Sequence, residues 1–404
     1  MRHSTDHILS SHGGNLPRPA AFDELLSRAS EHREEVEAQL PSAVEWVIDR
    51  QIECGVDIIN DGEYVKAAEG GNYGSYMADR ATGFSTRKRP EGMPPKRGFT
   101  AEREIPEFPG FFRSGLWFSG SGGPIRPGFA TPGRDMMSFG ENEQICDGPV
   151  AYVGHDAIAK DIAAIKRGLE GKEGVDGFVA SLGPLSLGAG KRNLHYGDER
   201  EYMFAVAECM REEYKAITDA GLIVQVDEPE FATTWSFYPD WSVEDLRSYL
   251  DFAVEVINHS LRGLPQELIR FHMCWGSGHR PHVQDIEFRH IADKMLKIDA
   301  QCYTFEASNV RHAHEYRVFE ELKLPEGKII APGVVGHYTD LVEHPELVAE
   351  RLCNYARLVG MENVHASTDC GIGSRVGHEE VVWAKLKAMS EGCRIATKRM
   401  KAGL

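Results

Sequence analysis

Strand-like and helix-like runs alternate along this 404-residue chain. The apolar runs that favour strands are His7–Ser11, Asp57–Asn60, Gly177–Leu182, Leu222–Val226, Ile269–Met273, Ala300–Glu306, Lys328–Val335 and Val364–Asp369. Amphipathic stretches with apolar residues at helical spacing lie between them, among them Val243–Leu261, Glu346–Val359 and His378–Thr397. A strand and helix unit repeated about eight times predicts an α/β fold of the (β/α)8 TIM barrel type. An open doubly wound sheet would need fewer strands.

One long segment interrupts this alternation after the second predicted strand. Residues Lys66–Pro149 are rich in Gly, Pro, Arg and aromatic residues and show no long helical period. The aromatic residues include Phe108, Phe111, Phe112, Trp117 and Phe118. A segment of this kind is more often functional than a second core, and here it should leave the barrel on its C-terminal face. We expect one domain, residues 1–404, with an insertion at about 66–149 that either roofs the active site or makes an oligomer contact.

Composition narrows the function classes. The formal net charge of −17 argues against a nucleic-acid partner, because phosphate binding needs clustered Lys and Arg. No run approaches ~18 consecutive apolar residues, and the N-terminus lacks the apolar core of a signal peptide. We therefore expect a cytoplasmic protein with no membrane partner that acts on small molecules. The eight cysteines show no small-scaffold spacing, so most should be free thiols in a reducing compartment.

Soft and borderline metal ligands stand at the ends of three later strands. His272 and Cys274 are two residues apart, so on a strand their side chains project to the same face and can share one ion. Glu306 ends the next predicted strand, and Cys370 follows the last one. Two thiolates, an imidazole and a carboxylate suit Zn²⁺ better than Mg²⁺ or Ca²⁺. The sequence therefore predicts Zn²⁺ as cofactor, held by these four residues.

Polar motifs follow the other strands, where catalytic groups sit in barrels of this type. The motifs that carry a family resemblance are Gly14-Asn15-Leu16-Pro17-Arg18, Asp61-Gly62-Glu63, Val226-Asp227-Glu228-Pro229, His272-x-Cys274, Glu306-Ala307-Ser308 and Asp369-Cys370-Gly371. With them the chain resembles the zinc-binding catalytic barrel of cobalamin-independent methionine synthase and its short, single-barrel relatives. The resemblance extends from about residue 7 to about residue 398, apart from the segment after Lys66.

The resemblance implies a zinc-dependent methyltransferase of the 5-methyltetrahydropteroyltriglutamate–homocysteine S-methyltransferase type, with a thiol and an alkyl donor as its small-molecule partners. A thiol bound to Zn²⁺ loses its proton, and the thiolate is the nucleophile in S-alkylation. The resemblance assigns Asp227 and Glu63 to the substrate ammonium and Asn15 to the loop that holds its carboxylate. Either His337 or Tyr338 would protonate the leaving group, and His is the better acid near neutral pH.

Departures from the family pattern keep a second enzyme class open. Asn15 stands where the family usually has Ser, Tyr338 stands at the position of its catalytic His, and the run Gly183–Leu187 lacks the Trp that folate-using members place nearby. Together with the insertion, these features favour a relative of the epoxyalkane:thiol transferase type, which joins a different thiol and electrophile. A non-catalytic zinc protein is disfavoured. Glu306 would be the ligand most easily displaced by substrate sulfur, and a purely structural zinc site has no use for a displaceable ligand. A homo-oligomer is possible for each class.

Overall fold

The computed structural model describes residues 1–404 except residues 30, 72–73, 95, 97–100, 114–140, 277 and 374. Its strands are β1 Ile58–Ile59, β2 Phe84–Lys88, β3 Asn142–Cys146, β4 Asp176–Leu182, β5 Arg192–Asn193, β6 Ile223–Asp227, β7 Ile269–Met273, β8 Cys302–Phe305, β9 Ile329–Val335 and β10 Ser367–Thr368. A parallel sheet has the order β1-β4-β6-β7-β8-β9-β10. Consecutive strands of this sheet are neighbours, as in a barrel.

The N-terminal segment closes the sheet into that barrel. The N–H of Ser11 donates to the carbonyl of Ala366, and the N–H of Ala366 donates to the carbonyl of Leu9, each at 2.8 Å. On the other side, the N–H of Ile58 donates to the carbonyl of Ser10 at 3.0 Å. The segment therefore lies between the two outer strands of the sheet, and the predicted (β/α)8 barrel is confirmed.

The predicted first strand, His7–Ser11, is reduced to a single bridge at Ser10. Along this segment, side-chain oxygens accept backbone N–H groups that would otherwise pair with a neighbouring strand. The N–H of Ser10 donates to Oδ2 of Asp57 at 2.8 Å, and the N–H of Ile8 donates to Oγ1 of Thr397 at 2.9 Å. Apolar residues alone predicted the segment correctly, but they could not show that side chains would satisfy its backbone.

Helices cover the outside of the barrel. They are α1 Ala20–Leu26, α2 Arg33–Glu53, α3 Tyr64–Ala68, α4 Pro109–Arg113, α5 His155–Leu169, α6 Pro184–Gly188, α7 Glu199–Asp219, α8 Glu230–Phe237, α9 Val243–Leu261, α10 Ala292–Met295, α11 Val318–Glu321, α12 Pro345–Val359 and α13 Glu379–Lys401. The prediction for α9 agrees at both ends, since Ser242 and Asp245 form a capping box at its start. In the described part of the chain, none of the helices has the length and apolar character needed to cross a membrane.

Successive side chains of β7 point alternately to the helix layer and to the barrel interior. Phe271 is fully buried and contacts the ring of Phe231 in α8, with centroids 5.6 Å apart. Arg270 points inward, where its guanidinium lies 4.1 Å from the ring of Phe178 and donates to Oγ of Ser11 at 2.6 Å. His272, two residues after Arg270, therefore faces the interior at the C-terminal end of the strand.

The insertion contains more regular structure than its sequence predicts. Strands β2 and β3 pair antiparallel, and β3 pairs parallel with β5, so that a small second sheet forms. These strands carry charged rather than alternating apolar residues. Glu143 accepts from Arg87 at 2.9 Å and from Arg192 at 3.0 Å, so one carboxylate links all three strands. Hydrophobic periodicity could not reveal strands held together in this way.

Residues 101–113 of the insertion pack against the loop that follows β7. Glu104 and Arg280 form an ion pair at 3.0 Å, and both side chains are almost fully buried. The ring of Phe111 lies 6.2 Å from that of His279. Arg103 donates to the carbonyl of Trp235 at 2.7 Å. This part of the insertion thus lies at the C-terminal end of the barrel, whereas Trp117 and Phe118 fall outside the described residues.

Candidate functional site

Three of the predicted zinc ligands meet at the mouth of the barrel. One donor atom each of His272, Cys274 and Cys370 lies within 4.8 Å of the others. His272 belongs to β7, Cys274 follows that strand, and Cys370 follows β10, which is separated from β7 by two other strands of the sheet. The cluster therefore depends on the curvature of the sheet, which brings distant strand ends together.

His272 has an unusual environment for a buried imidazole. The residue is 2 % exposed, and neither ring nitrogen makes a hydrogen bond of ordinary geometry to the described residues, although the ring interacts with the Cys370 sulfur. A buried polar group without a partner costs free energy, so such a ring is suited to coordinate an ion. One imidazole and two cysteine sulfurs form a donor set that fits zinc.

The two cysteines have opposite acidities. Hydrogen bonding with Cys274 holds the pKa of Cys370 well below its usual range despite burial, and the Arg375 guanidinium acts in the same direction. The same interaction with Cys370, together with burial, raises the pKa of Cys274 well above its usual range. Cys370 is therefore the sulfur that carries negative charge before any ion binds.

Glu306 lies in an adjoining group rather than in the first one. Its carboxylate is 3 % exposed and lies with His337 and Asp369, with one donor atom of each residue within 4.8 Å of the others. Oε1 accepts from the N–H of Trp275 and Oε2 accepts from Nδ2 of Asn309, each at 2.9 Å. Burial raises its pKa well above the usual range, and the nearby Asp369 adds to this rise. Both oxygens of Glu306 are thus already engaged.

Asp369 fixes the loop that carries Glu306. Its Oδ1 accepts from the N–H groups of Ala307 and Ser308, each at 2.9 Å, and its Oδ2 accepts from Oγ of Ser308 at 2.6 Å. The residue is fully buried. Sequence reasoning cited Asp369 only as the neighbour of Cys370 and missed this positioning role, which depends on a contact across the barrel.

Asp227 and Glu63 form an acidic pair beside the cluster. Asp227 ends β6, where it is paired in register with His272, and its Oδ1 accepts from Nε2 of Gln225 at 2.7 Å. Burial raises the pKa of Asp227 to about 6, although His272 opposes the rise. Burial also raises the pKa of Glu63 to about 8, against the effect of Lys66, and the Asp227 charge contributes to this rise. Two carboxyls whose charges repel in this way favour a cation between them.

The predicted carboxylate-binding residue, Asn15, holds the loop after Cys370. Its carbonyl oxygen accepts from the N–H of Gly373 at 3.0 Å, and its Oδ1 accepts from the same N–H at 3.2 Å. A Cβ at Gly13 would lie 2.5 Å from the backbone carbonyl carbon of Cys370, so only glycine fits there. The first loop is therefore packed directly against the backbone of Cys370.

The two candidate proton donors differ in environment. His337 is 1 % exposed, neither of its ring nitrogens has a partner among the described residues, and burial lowers its pKa to about 3. The imidazole is therefore neutral at pH 7. Tyr338 is 38 % exposed, and its hydroxyl donates to the carbonyl of Gly276 at 3.2 Å, in the loop after Cys274. The two rings touch, with centroids 3.9 Å apart.

Arg375 is a charged residue at the site that sequence reasoning missed. Its Nη1 donates to the carbonyl of Gly371 at 2.8 Å and lies 3.7 Å from the sulfur of Cys370. The position five residues after a predicted ligand was the available sequence clue, but basic residues are common in such loops. The structure therefore adds a fixed positive charge to a site otherwise rich in acidic groups.

Comparisons with known proteins agree with this architecture. Residues 191–394 match the family model described as "Cobalamin-independent synthase, Catalytic domain". Proteins named methionine synthase from Saccharolobus islandicus and Sulfolobus acidocaldarius are each 24 % identical to this chain, over 227 and 226 residues. The aligned part covers 55 % of this chain in both cases, and 59 % and 57 % of those proteins. The chain thus spans less than two thirds of the curated relatives that it matches.

Two solved structures share the fold over nearly the whole chain. One is a B12-independent methionine synthase from Shewanella sp. W3-18-1 in complex with selenomethionine, with a TM-score of 0.67 and 19 % sequence identity. The superposition covers 98 % of this chain and 99 % of the Shewanella chain. The other is a putative vitamin-B12 independent methionine synthase from Listeria monocytogenes, with a TM-score of 0.62 and 14 % sequence identity. Its superposition covers 96 % of this chain and 99 % of the Listeria chain. At these identities the likeness concerns the fold alone.

Proposed function

The chain belongs to the cobalamin-independent methionine synthase family, and from this premise we propose that it transfers a methyl group to the sulfur of homocysteine or a similar amino thiol at a zinc centre. The observation that carries the proposal is the cluster of His272, Cys274 and Cys370, whose donor atoms lie within 4.8 Å of one another. A buried imidazole that makes no hydrogen bond of ordinary geometry beside two sulfurs is better suited to an ion than to a structural role.

Four residues would hold the zinc in this proposal. His272, Cys274 and Cys370 would supply three donors, and Glu306 from the adjoining group would be the fourth and most readily released ligand. Bound zinc would lower the pKa of a coordinated thiol, so that the sulfur reacts as a thiolate. The hydrogen bonds from Trp275 and Asn309 stabilise Glu306 when it is not a ligand, so its release from the ion leaves no unpaired charge.

Asp227 and Glu63 would bind the ammonium group of the substrate. Burial raises the pKa of both carboxyls, and negative neighbours add to the rise, Cys370 for Asp227 and Asp227 for Glu63, so that a bound cation would relieve these effects. Support also comes from the named relatives, which are methionine synthases, and from the Shewanella protein, which binds selenomethionine, an analogue of the product.

The transfer itself needs one proton movement at the donor. The substrate sulfur forms a bond to the methyl carbon, the bond from that carbon to the donor breaks, and the leaving atom takes up a proton. Tyr338 and His337 are the candidate proton sources. Tyr338 is the more accessible, because it is partly exposed beside the loop after Cys274, whereas His337 is buried and neutral at pH 7.

One observation favours the second candidate function, which joins a different thiol to a different electrophile. Oδ1 of Asn15 accepts the N–H of Gly373, so the loop after Cys370 sets the orientation of this amide. A family member that binds an amino acid usually has Ser here, and the replacement fits a substrate without that carboxylate. An epoxyalkane:thiol transferase type of reaction uses the same thiolate chemistry.

Thiol binding to the zinc-loaded chain tests these proposals. Calorimetric titration with homocysteine and with 4-mercaptobutanoate, which lacks only the amino group, isolates the contribution of the ammonium. The methyl transfer proposal predicts that homocysteine binds at least about tenfold tighter, a difference of about 1.4 kcal/mol. Equal binding of the two thiols would contradict the ammonium pocket and favour the second candidate.

A further inference from the structure

The side chain of Arg375 is held beside the candidate metal centre without a carboxylate partner. It follows β10 and Cys370, and its Nη1 is fixed by the carbonyl of Gly371 at 2.8 Å. The same nitrogen lies 3.7 Å from the sulfur of Cys370. Its Nε is buried and has no hydrogen-bond partner among the described residues. The guanidinium therefore keeps an unused donor close to where the substrate sulfur would react.

Two buried arginines of this fold, Arg80 and Arg280, are paired with carboxylates, whereas Arg270 inside the barrel contacts Ser11 and the ring of Phe178 instead. Arg80 lies 2.8 Å from Asp161 and 3.4 Å from Glu213. Arg280 lies 3.0 Å from Glu104 and 2.6 Å from Asp285. In the described part of the chain, by contrast, no carboxylate lies within ion-pairing distance of Arg375. Its anionic neighbour in that part of the chain is the sulfur of Cys370, at 3.7 Å. A metal ion bound to that sulfur would take up its charge, and the enclosed guanidinium could then accept a second anion.

The neighbours of Arg375 show where such an anion would sit. Cys370 lies on one side, and the partly exposed Tyr338 is a further neighbour of the guanidinium. Asp227 ends β6 and Glu63 follows β1, and both also lie near Cys370. The mouth of the barrel thus offers two carboxyls for a cation and one guanidinium for an anion around the same sulfur.

We propose that Arg375 forms an anion subsite that binds the carboxylate, or an equivalent anionic group, of a short thiol substrate. A guanidinium presents paired N–H donors that match the geometry of a carboxylate or sulfonate. The 3.7 Å approach to Cys370 requires the anionic group to lie only a few carbon atoms from the substrate sulfur. This inference rests on the proposed thiol alkylation and names the class of thiol that the site selects.

The subsite also accounts for the role of Asn15. A substrate carboxylate held by Arg375 does not need a donor from Asn15, whose Oδ1 serves to hold the loop after Cys370 through Gly373. Both candidate functions are compatible with this arrangement, because an amino thiol such as homocysteine and a simple anionic thiol each carry an anionic group. Neutral thiols of the same size are the ones that the site should disfavour.

Two matched thiols test the proposal on the full-length, zinc-loaded chain. Binding of 3-mercaptopropanoate and of 3-mercaptopropan-1-ol is measured by calorimetry, with zinc content determined for every sample. We expect the wild type to bind the carboxylate at least tenfold tighter than the alcohol. Arg375→Gln should remove that preference by weakening carboxylate binding alone, and Arg375→Lys should keep part of it, because it retains the charge without the planar fork.

Two results would overturn the subsite. The first is equal binding of the two thiols by the wild type, a result that would still be compatible with the proposed thiol alkylation at zinc. The second is an equal loss of affinity for both thiols in Arg375→Gln at unchanged zinc content, which would make Arg375 a positioning residue for Cys370. If Arg375→Gln loses zinc, the test passes to Arg375→Lys at full zinc content. A preference for the carboxylate over the alcohol that is as strong in Arg375→Lys as in the wild type would contradict binding by the planar guanidinium. Failure of both thiols to bind the zinc-loaded wild type would instead contradict the proposed function itself.

Discussion

The backbone N–H of Trp275 donates a 2.9 Å hydrogen bond to Oε1 of Glu306. This bond joins the residue after Cys274 to the carboxylate that ends the next strand of the barrel. With Asn309 on the other oxygen, Glu306 is held beside the cysteine cluster whether or not it contacts an ion. This arrangement suits the role that we propose for Glu306, that of a ligand which can leave and return without moving its loop.

The ligands should therefore differ in their importance for zinc affinity. Cys370→Ala removes the sulfur with the lowest pKa and should abolish tight zinc binding, whereas Glu306→Gln should weaken it by no more than about 10- to 100-fold. Competition with a chromophoric chelator measures both. An equal loss in the two variants would argue against Glu306 as the exchangeable ligand.

Asp227→Asn tests the ammonium pocket. Loss of its negative charge should weaken homocysteine binding at least about tenfold while leaving 4-mercaptobutanoate unaffected, because only homocysteine carries the ammonium. Asp219→Asn, on the exposed end of α7, is the matched control, since its ion pair with Lys215 is far from the site. A loss for both thiols in Asp227→Asn would indicate a structural effect instead.

The sequence predicted the barrel because strand and helix periods repeat along the chain, and α9 agreed at both ends because its cap is local. His272 and Cys274 could be placed on one face from their spacing alone. The engagement of Glu306 by Trp275 and the support of Ser308 by Asp369 could not be predicted, because they depend on how neighbouring strand ends align. Local periodicity carries no information about such contacts across the barrel.

The buried ion pair between Glu104 and Arg280 should anchor the insertion. Glu104→Gln leaves a buried guanidinium with one carboxylate fewer and should lower the free energy of unfolding by about 3 kcal/mol. The control is Glu141→Gln, which removes an exposed pair with Lys88 and should cost less than about 0.5 kcal/mol. Chemical denaturation followed by circular dichroism measures both, and equal effects would contradict a role for Glu104 in docking.

Because of His312, the free energy of unfolding should decrease as the pH becomes alkaline. Burial opposes its protonation, but hydrogen bonds to Asp285 at 3.3 Å and to Glu315 at 2.7 Å raise its pKa to about 9. Because the folded pKa lies above the unfolded value near 6.5, the stabilisation is complete below about pH 6.5 and is lost as pH rises through about 9.

The ring stacks on Trp275, with centroids 3.9 Å apart, so nuclear magnetic resonance of the His312 ring protons should report the same transition. His312→Gln should flatten the dependence of unfolding free energy on pH between about 6.5 and 9. A titration midpoint at or below the ordinary histidine value would contradict the charged state of this network.

X-ray absorption at the zinc edge, on the loaded protein with and without homocysteine, tests whether the thiol reaches the metal. We expect two sulfur ligands with nitrogen and oxygen in the resting state, and three sulfur ligands after addition of the thiol, with the Glu306 oxygen lost. A first shell that is unchanged by homocysteine would contradict thiol activation at this centre.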